Sequence, residues 1–217
     1  MDQREETSSM MRTKTMVFWF GLLGAFIFIG VSIWGGIRLE VYSELKQYIS
    51  ESYANGIEGA APIRYGFIIS GILFALFAFL APTTLPKSKG IKGAFWGIGV
   101  FYGLGTLMAG LFPCDPGCNP DLVAPSIAQL IHNLSASLTY MFMPFCLLGI
   151  GVITLNWTAG KRLSAVSLGS AFVSGIFVLV LFSNLQSELK GLYQRIIESS
   201  MLFWIIYLAF YIKNRKS

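Results

Sequence analysis

Six long apolar segments follow one another along the chain, separated by shorter polar stretches. Each is close to the roughly 20 residues that an α-helix needs to cross about 30 Å of hydrocarbon. We place them at residues 16–34, 65–81, 94–112, 127–155, 163–182 and 201–212. The fourth is long enough for a strong tilt, and the short sixth is expected to borrow residues from 192–200. The pattern predicts an all-α fold, an integral membrane six-helix bundle.

Two of the polar connections carry a helical periodicity of their own. In both, apolar residues recur at helical spacing and polar residues fall largely between them. The apolar positions are Val41, Leu45, Tyr48, Ile49 and Tyr53 in the first connection, and Leu185, Leu189, Leu192 and Ile196 in the last. Both connections are predicted to form amphipathic helices on the membrane interface, or alternatively lids packed on the bundle.

The composition supports a membrane protein of one domain. Hydrophobic residues make up 54% of the 217 residues and charged residues only 12%, against about 25% charged in a soluble domain. The net charge of +5 raises the question of nucleic acid. The basic residues are scattered singly beside apolar segments, so we do not expect nucleic acid as a partner. We expect these residues to contact membrane lipids instead.

The basic residues also predict the orientation. Eleven of the 16 lie in the tails and in the connections after the second and fourth segments: Arg4, Arg12, Lys14, Lys87, Lys89, Lys92, Lys161, Arg162, Lys213, Arg215 and Lys216. Because basic residues favour the cytoplasmic side, we expect both termini in the cytoplasm and the chain in the cell membrane. This gives cytoplasmic tails at 1–15 and 213–217 and a transmembrane domain at 16–212. Eight acids, Glu198 among them, are then predicted outside.

The fourth segment carries a polar face. On a helical wheel, one arc of somewhat over a third of the circumference holds Gln129, His132, Asn133, Thr139 and Tyr140. Lipid cannot satisfy such groups, so this face is expected to look into the bundle. The only histidine of the chain lies at its outer end.

Asp115 precedes Pro116-Gly117 and is expected in a tight turn just before this polar face. The third and fourth segments are predicted antiparallel neighbours, so Asp115 and His132 could approach each other. A carboxylate beside an imidazole is how general acid–base pairs are built, which makes these two residues the catalytic candidates. An ordinary structural hydrogen bond is the alternative that we favour.

Metal ligands are few. One histidine cannot supply the two or three imidazoles of common catalytic zinc sites, and Asp115 with Asp121 makes a thin set for a hard cation. We therefore expect no metal and no cofactor. Cys114 and Cys118 lie in one connection and could form a disulfide in an oxidising compartment.

Arg195 stands just before the sixth segment. Its guanidinium could clamp a phosphate or carboxylate, or pair with Asp115 or Glu198. The alternative, which we favour, is that it extends to lipid headgroups.

Short motifs in this chain resemble domain-of-unknown-function family 998, whose members are six-helix prokaryotic membrane proteins. The motifs are Leu111-Phe112-Pro113-Cys114-Asp115, the downstream His132, and Gly191-Leu192-x-Gln194-Arg195 followed by Trp204. The resemblance extends roughly from the first segment to the last. It implies that Asp115, His132 and Arg195 are the family-type polar positions, and it implies no activity.

Three functions are compatible with the sequence. The first, which we favour, is binding of a lipid headgroup or a small polar or anionic ligand at an outward-facing site formed by Asp115, Gln129, His132 and Arg195. The second is an enzyme acting on lipid at the outer leaflet, and the third is a structural or partner-binding subunit. A channel or pump is disfavoured, because no charged residue is expected near the middle of a span. The sequence leaves the oligomeric state open.

Overall fold

The computed structural model describes residues 3–215, which form six long helices joined by short connections. They are α1 (Gln3–Ile37), α2 (Ala61–Leu80), α3 (Lys89–Leu111), α4 (Ile127–Thr154), α5 (Lys161–Ser183) and α6 (Lys190–Asn214). Each contains a stretch long and apolar enough to cross a membrane, and no strand occurs among the described residues. The predicted all-α six-helix membrane bundle is confirmed. Lys216, used above to predict orientation, lies outside the described residues.

The helices form a closed ring in chain order. Each helix packs on the next, and α1 packs on α6. Short connections favour such antiparallel neighbours. The largest fully buried side chains of the core include Trp204, Tyr102, Phe74, Phe77 and Phe95. Because the number of antiparallel helices is even, the chain begins and ends at the same end of the bundle. There Lys14 Nζ donates to the backbone oxygen of Arg215 at 2.9 Å. We call this the terminal end, and the opposite end, which carries Cys114, the disulfide end.

α3 contains a π-helical segment. Residues Lys89–Gly97 and Gly105–Leu111 are α-helical, and Ile98–Leu104 between them are π-helical. The segment packs tightly on α2: a Cβ at Gly103 would lie 2.6 Å from the backbone nitrogen of Ala75. π-Helical segments are frequent at functional sites, and this one carries Tyr102.

Neither connection forms an interfacial helix, and the first follows the alternative prediction of a lid packed on the bundle. In the first, residues 38–48 form turns, and a short 3₁₀ helix at Ile49–Tyr53 is buried against the bundle. We call this whole connection, residues 38–60, the lid. In the last, α6 already begins at Lys190, so Leu192 and Ile196 belong to the membrane helix. Helical spacing of apolar residues does not distinguish an interfacial helix from a segment that packs on a core.

Candidate functional site

A disulfide-bonded turn covers the disulfide end of the bundle. Cys114 and Cys118 are joined, with their Cα atoms 4.9 Å apart. The turn between them needs the left-handed backbone at Gly117, whose φ is +65°. The backbone N–H of Asn55 donates to the oxygen of Cys114 at 2.8 Å, which ties this turn to the lid. The lid and the disulfide turn therefore form one cover over the helix ends.

Asp115, within the disulfide turn, and Gln129, buried beneath it, are brought together. The backbone N–H of Asp115 donates to Oε1 of Gln129 at 2.7 Å, and Nε2 of Gln129 donates to the oxygen of Cys118 at 3.1 Å. The Asp115 carboxylate accepts from the backbone N–H of Ser126 at 2.9 Å, beside the start of α4. Hydrogen bonds from Ser126 lower the pKa of Asp115 below its ordinary value, because they favour the ionised form. Both residues thus hold the turn on α4.

His132 is buried on the polar face of α4 and does not meet Asp115. Its Nδ1 is 2.9 Å from the backbone oxygen of Phe112, at the end of α3. Among the described residues, no hydrogen bond or ion pair joins His132 to an acid. The acid–base role of Asp115 and His132 stays a prediction, and the geometry gives it no direct contact.

Arg195 lies away from these residues, on the lid side of α6. Its guanidinium donates to the backbone oxygens of Gln47 at 2.9 Å and Gly191 at 3.1 Å, and to the hydroxyl of Tyr42 at 2.7 Å. The structure therefore brings Asp115, Gln129 and His132 to one region and places Arg195 in another. The predicted contact of Arg195 with an anion stays a prediction.

A buried carboxyl group inside the bundle was missed by the sequence reasoning. Glu198 was predicted outside with other acids, but it lies within α6 and is only 7% exposed. Its Oε2 accepts from the hydroxyl of Tyr102 at 3.0 Å, and its Oε1 accepts from the hydroxyl of Tyr140 at 2.8 Å. Nε2 of Gln194 donates in turn to the Tyr140 oxygen at 3.0 Å. We call these four residues the carboxyl cluster.

The signal for this cluster was present in the sequence. Glu198 falls in the stretch 192–200 that the short sixth segment was expected to borrow, which would place an acid within a membrane helix. An ionisable residue inside a span is a functional hypothesis by default.

Residues of the cover and of the carboxyl cluster line two adjoining cavities. The wide cavity has a volume of about 310 Å³, and its walls include Ser137, Met141, Leu181, Phe182 and Leu185. The inner pocket has a volume of about 50 Å³, and its walls include Phe28, Tyr53, Phe67, Thr106 and Glu198. Five residues line both cavities: Ser50, His132, Ala136, Tyr140 and Gln194.

The wide cavity has a polar inner wall and an apolar outer wall. The polar residues shared with the inner pocket line the side where the two cavities adjoin, and Asn133 also lines the wide cavity. On the other side, Met141, Phe182 and Leu185 are also exposed on the surface of the bundle, at 48%, 39% and 46%. Burial raises the pKa of Tyr48, which also lines the cavity, to about 12, so its phenol is neutral. The cavity is chemically suited to an amphipathic molecule.

One group of possible metal ligands occurs among the described residues, beside the wide cavity. One ligand atom each of Cys114, Cys118 and His132 fall within 4.8 Å of one another. Both sulfurs are joined in the disulfide, whereas cysteine binds metals as the thiolate. This group therefore does not fit a metal in the oxidised protein.

Comparisons with known proteins place the chain in a family. A family model described as "Protein of unknown function (DUF998)" matches residues 22–211, which is most of the chain. No curated protein and no solved structure matches it.

Proposed function

The chain belongs to the DUF998 family of proteins of unknown function, and from its own geometry we propose that it binds the polar head of a membrane lipid in the wide cavity. The cavity has the volume of a small-molecule site, about 310 Å³. The polar groups reach the head of the occupant, and the apolar wall contacts the start of its chain. The single observation that carries this proposal is the division of one cavity into a polar inner wall and an apolar wall exposed on the bundle surface.

The position of the cavity supports entry from the membrane. Met141 of α4 and Phe182 of α5 are on neighbouring helices of the ring, and both are exposed on its surface. A lipid can therefore approach between α4 and α5 with its chain in hydrocarbon. Tyr48, Ser50 and Cys118 of the cover line the cavity toward the aqueous side. Soluble ligands would have to pass this cover, and we therefore favour a lipid.

We further propose that both termini are cytoplasmic and that the disulfide end faces the outside of the cell membrane. The excess of basic residues at the terminal end and the disulfide at the opposite end support this orientation. A fluorescent protein fused after residue 217 and a phosphatase fused in the same place test it. Cytoplasmic termini give fluorescence without phosphatase activity, and the reverse result overturns the orientation.

The binding proposal is tested with a photoactivatable diacylglycerol in nanodiscs, with crosslinked residues mapped by mass spectrometry of peptides. We expect crosslinks on residues of the wide cavity, in particular Met141 and Phe182. Ser137→Leu fills the cavity and is expected to remove these crosslinks, because Ser137 lines the wide cavity and not the inner pocket. Val152→Leu on the exposed surface of α4 is the matched control, since it adds volume outside the cavity. Crosslinks spread evenly over the bundle, unchanged by Ser137→Leu, would overturn the proposal.

A further inference from the structure

The walls of the two cavities carry a net acidic character. Among the described residues that line them, Glu198 is the one carboxyl group, and none is lysine or arginine. Glu198 and Arg195 both border a third cavity, of about 220 Å³, on the α1 side. The guanidinium is held there by Gln47, Gly191 and Tyr42, and no ion pair joins it to Glu198. Among the described residues, the Glu198 carboxyl group therefore has no ion pair with a protein cation.

The carboxyl cluster leaves acceptor capacity for a ligand. Glu198 accepts one hydrogen bond at each oxygen, from Tyr102 and Tyr140, whereas an ionised carboxylate has about four acceptor positions. The hydroxyl of Thr106 offers a further acceptor in the same pocket. Ionised, a buried carboxylate is costly unless a cation accompanies it. A group that only donates hydrogen bonds and carries a positive charge complements this wall.

The inner pocket is small and aromatic. A water molecule needs roughly 10–15 Å³ of such space, and the pocket has about 50 Å³. This is room for a group of a few heavy atoms, such as an ammonium group with its adjoining methylene. Phe28, Tyr53 and Phe67 line the pocket together with Tyr140. Aromatic faces attract cations, most strongly where water is excluded.

We propose that the inner pocket binds the protonated primary amine of an amphipathic molecule whose chain begins in the wide cavity, with Glu198 as counter-ion. This inference rests on the proposed function, because the same molecule is held in both cavities. The three N–H groups of a primary ammonium meet the Glu198 carboxylate and neighbouring hydroxyl oxygens. The shared residues Gln194 and His132 surround the passage between the cavities. The recognised chemistry is a primary ammonium group, carried either by a membrane lipid or by a free amine.

The test measures equilibrium binding of radiolabelled dodecylammonium and dodecanol to the purified full chain in mild detergent. These probes share one chain and differ in charge and in hydrogen-bond donors. We expect the parent protein to bind dodecylammonium at least about tenfold more tightly, equivalent to about 1.4 kcal/mol. Glu198→Gln keeps the size of the side chain and removes its charge, so the two probes should bind equally. Dodecyltrimethylammonium has no N–H donor and a bulkier head, and should lose the advantage of the primary amine.

Further arms separate the possible outcomes. Tyr102→Phe keeps the carboxyl group, so this variant should retain the preference for the amine. It provides a second measurement on the carboxyl cluster if Glu198→Gln fails to fold. Equal binding of both probes to the parent, abolished by Ser137→Leu, overturns the inference and leaves the proposed function standing. Binding unaffected by Ser137→Leu contradicts the proposed function and, with it, the inference that rests on it. Absence of binding of either probe overturns both. Competition by soluble methylammonium supports a free amine as the source, and a retained preference without such competition supports a lipid.

Discussion

The hydroxyl of Tyr140 donates to Oε1 of Glu198 at 2.8 Å and so joins α4 to α6 across 58 residues of sequence. Gln194, one turn before Glu198 on α6, donates to the same hydroxyl at 3.0 Å and accepts from the backbone N–H of Ile49 at 2.7 Å. The lid, α6 and α4 are therefore connected through one chain of hydrogen bonds. This connection places the carboxyl cluster and the cover in one structural unit.

Tyr140→Phe is predicted to destabilise the protein. The change removes a donor from Glu198 and the acceptor of Gln194, and leaving buried polar groups unsatisfied costs about 1–3 kcal/mol. Thermal or denaturant unfolding in mild detergent measures the effect. Tyr65→Phe is the control, because Tyr65 is 63% exposed and surface changes usually stay within about 0.5 kcal/mol. Equal stability of the two variants would show that the cluster is not structural.

Arg195→Ala is predicted to lower stability and not merely lipid affinity. The change removes three hydrogen bonds that the guanidinium makes to the lid and α6. A hydrogen bond to a charged group contributes about 1.5–3 kcal/mol to the free energy of unfolding. Lys46→Ala is the control, since Lys46 pairs with Glu188 at the surface, both side chains exposed, and such pairs contribute about 0–1 kcal/mol. Unchanged unfolding with weakened binding of anionic lipid would instead support the anion-clamp hypothesis.

Gly103→Ala is predicted to destabilise the α2–α3 contact. The added Cβ would lie within 3 Å of backbone and side-chain atoms of Ala75, so the helices must separate. Overpacking of this kind costs about 1–3 kcal/mol. Gly93→Ala in the same helix meets no atom within 4 Å and should be neutral or stabilising, because alanine favours helix. The melting temperatures of the two variants test this prediction. An unchanged melting temperature for Gly103→Ala would contradict the close approach of α2 and α3.

The double variant Cys114→Ser and Cys118→Ser is predicted to be less stable than the parent. The disulfide closes a short loop, and the chain-entropy relation assigns such a loop about 2 kcal/mol. The parent should melt at lower temperature after reduction, whereas the double variant should not respond to reductant. Cys146→Ala is the control, because Cys146 is the free cysteine of the described chain. Alkylation of three cysteines in the unreduced, denatured parent would show that the disulfide is absent.

Asp115 is predicted to contribute stability that disappears in acid. Its folded-state pKa is lowered by the hydrogen bonds from Ser126, so the contribution is fully present above the ordinary aspartate pKa of about 3.9 and is lost as pH falls through the folded value. Melting temperatures from neutral pH to about pH 3 measure this dependence. Asp115→Asn should reduce the loss at the acidic end, and an identical pH profile would contradict the role assigned to the carboxylate.

The sequence anticipated the six helices, but it did not decide between an interfacial helix and a lid for the connections. The span predicted at 127–155 agrees with α4 at Ile127–Thr154, and the borrowing of residues by the sixth segment agrees with α6 starting at Lys190. Neither connection forms an interfacial helix: the first is the lid that the alternative predicted, and much of the last belongs to α6. Hydropathy reports how apolar a segment is, and it does not report whether the segment packs on protein or lies on lipid.

The site was only partly anticipated. The polar face of α4 was identified with His132 and Tyr140 on it, and both line the cavities. Glu198 and Tyr102 were not connected to it, because they belong to α6 and to the π-helical segment of α3. Which side chains meet across three helices depends on the rotation of each helix about its axis, and local periodicity does not fix those rotations relative to one another.

The sequence by itself determined the class of the protein, the number of spans and the faces that carry polar groups, because these follow from local composition and from the length needed to cross hydrocarbon. Only the tertiary structure decided that Tyr140 and Tyr102 hold Glu198, that Arg195 holds the lid, and that residues of the cover and of the carboxyl cluster line common cavities. The physical reason is that these contacts join residues far apart in the chain. Their formation depends on how the helices close into a ring, and no single segment encodes that closure.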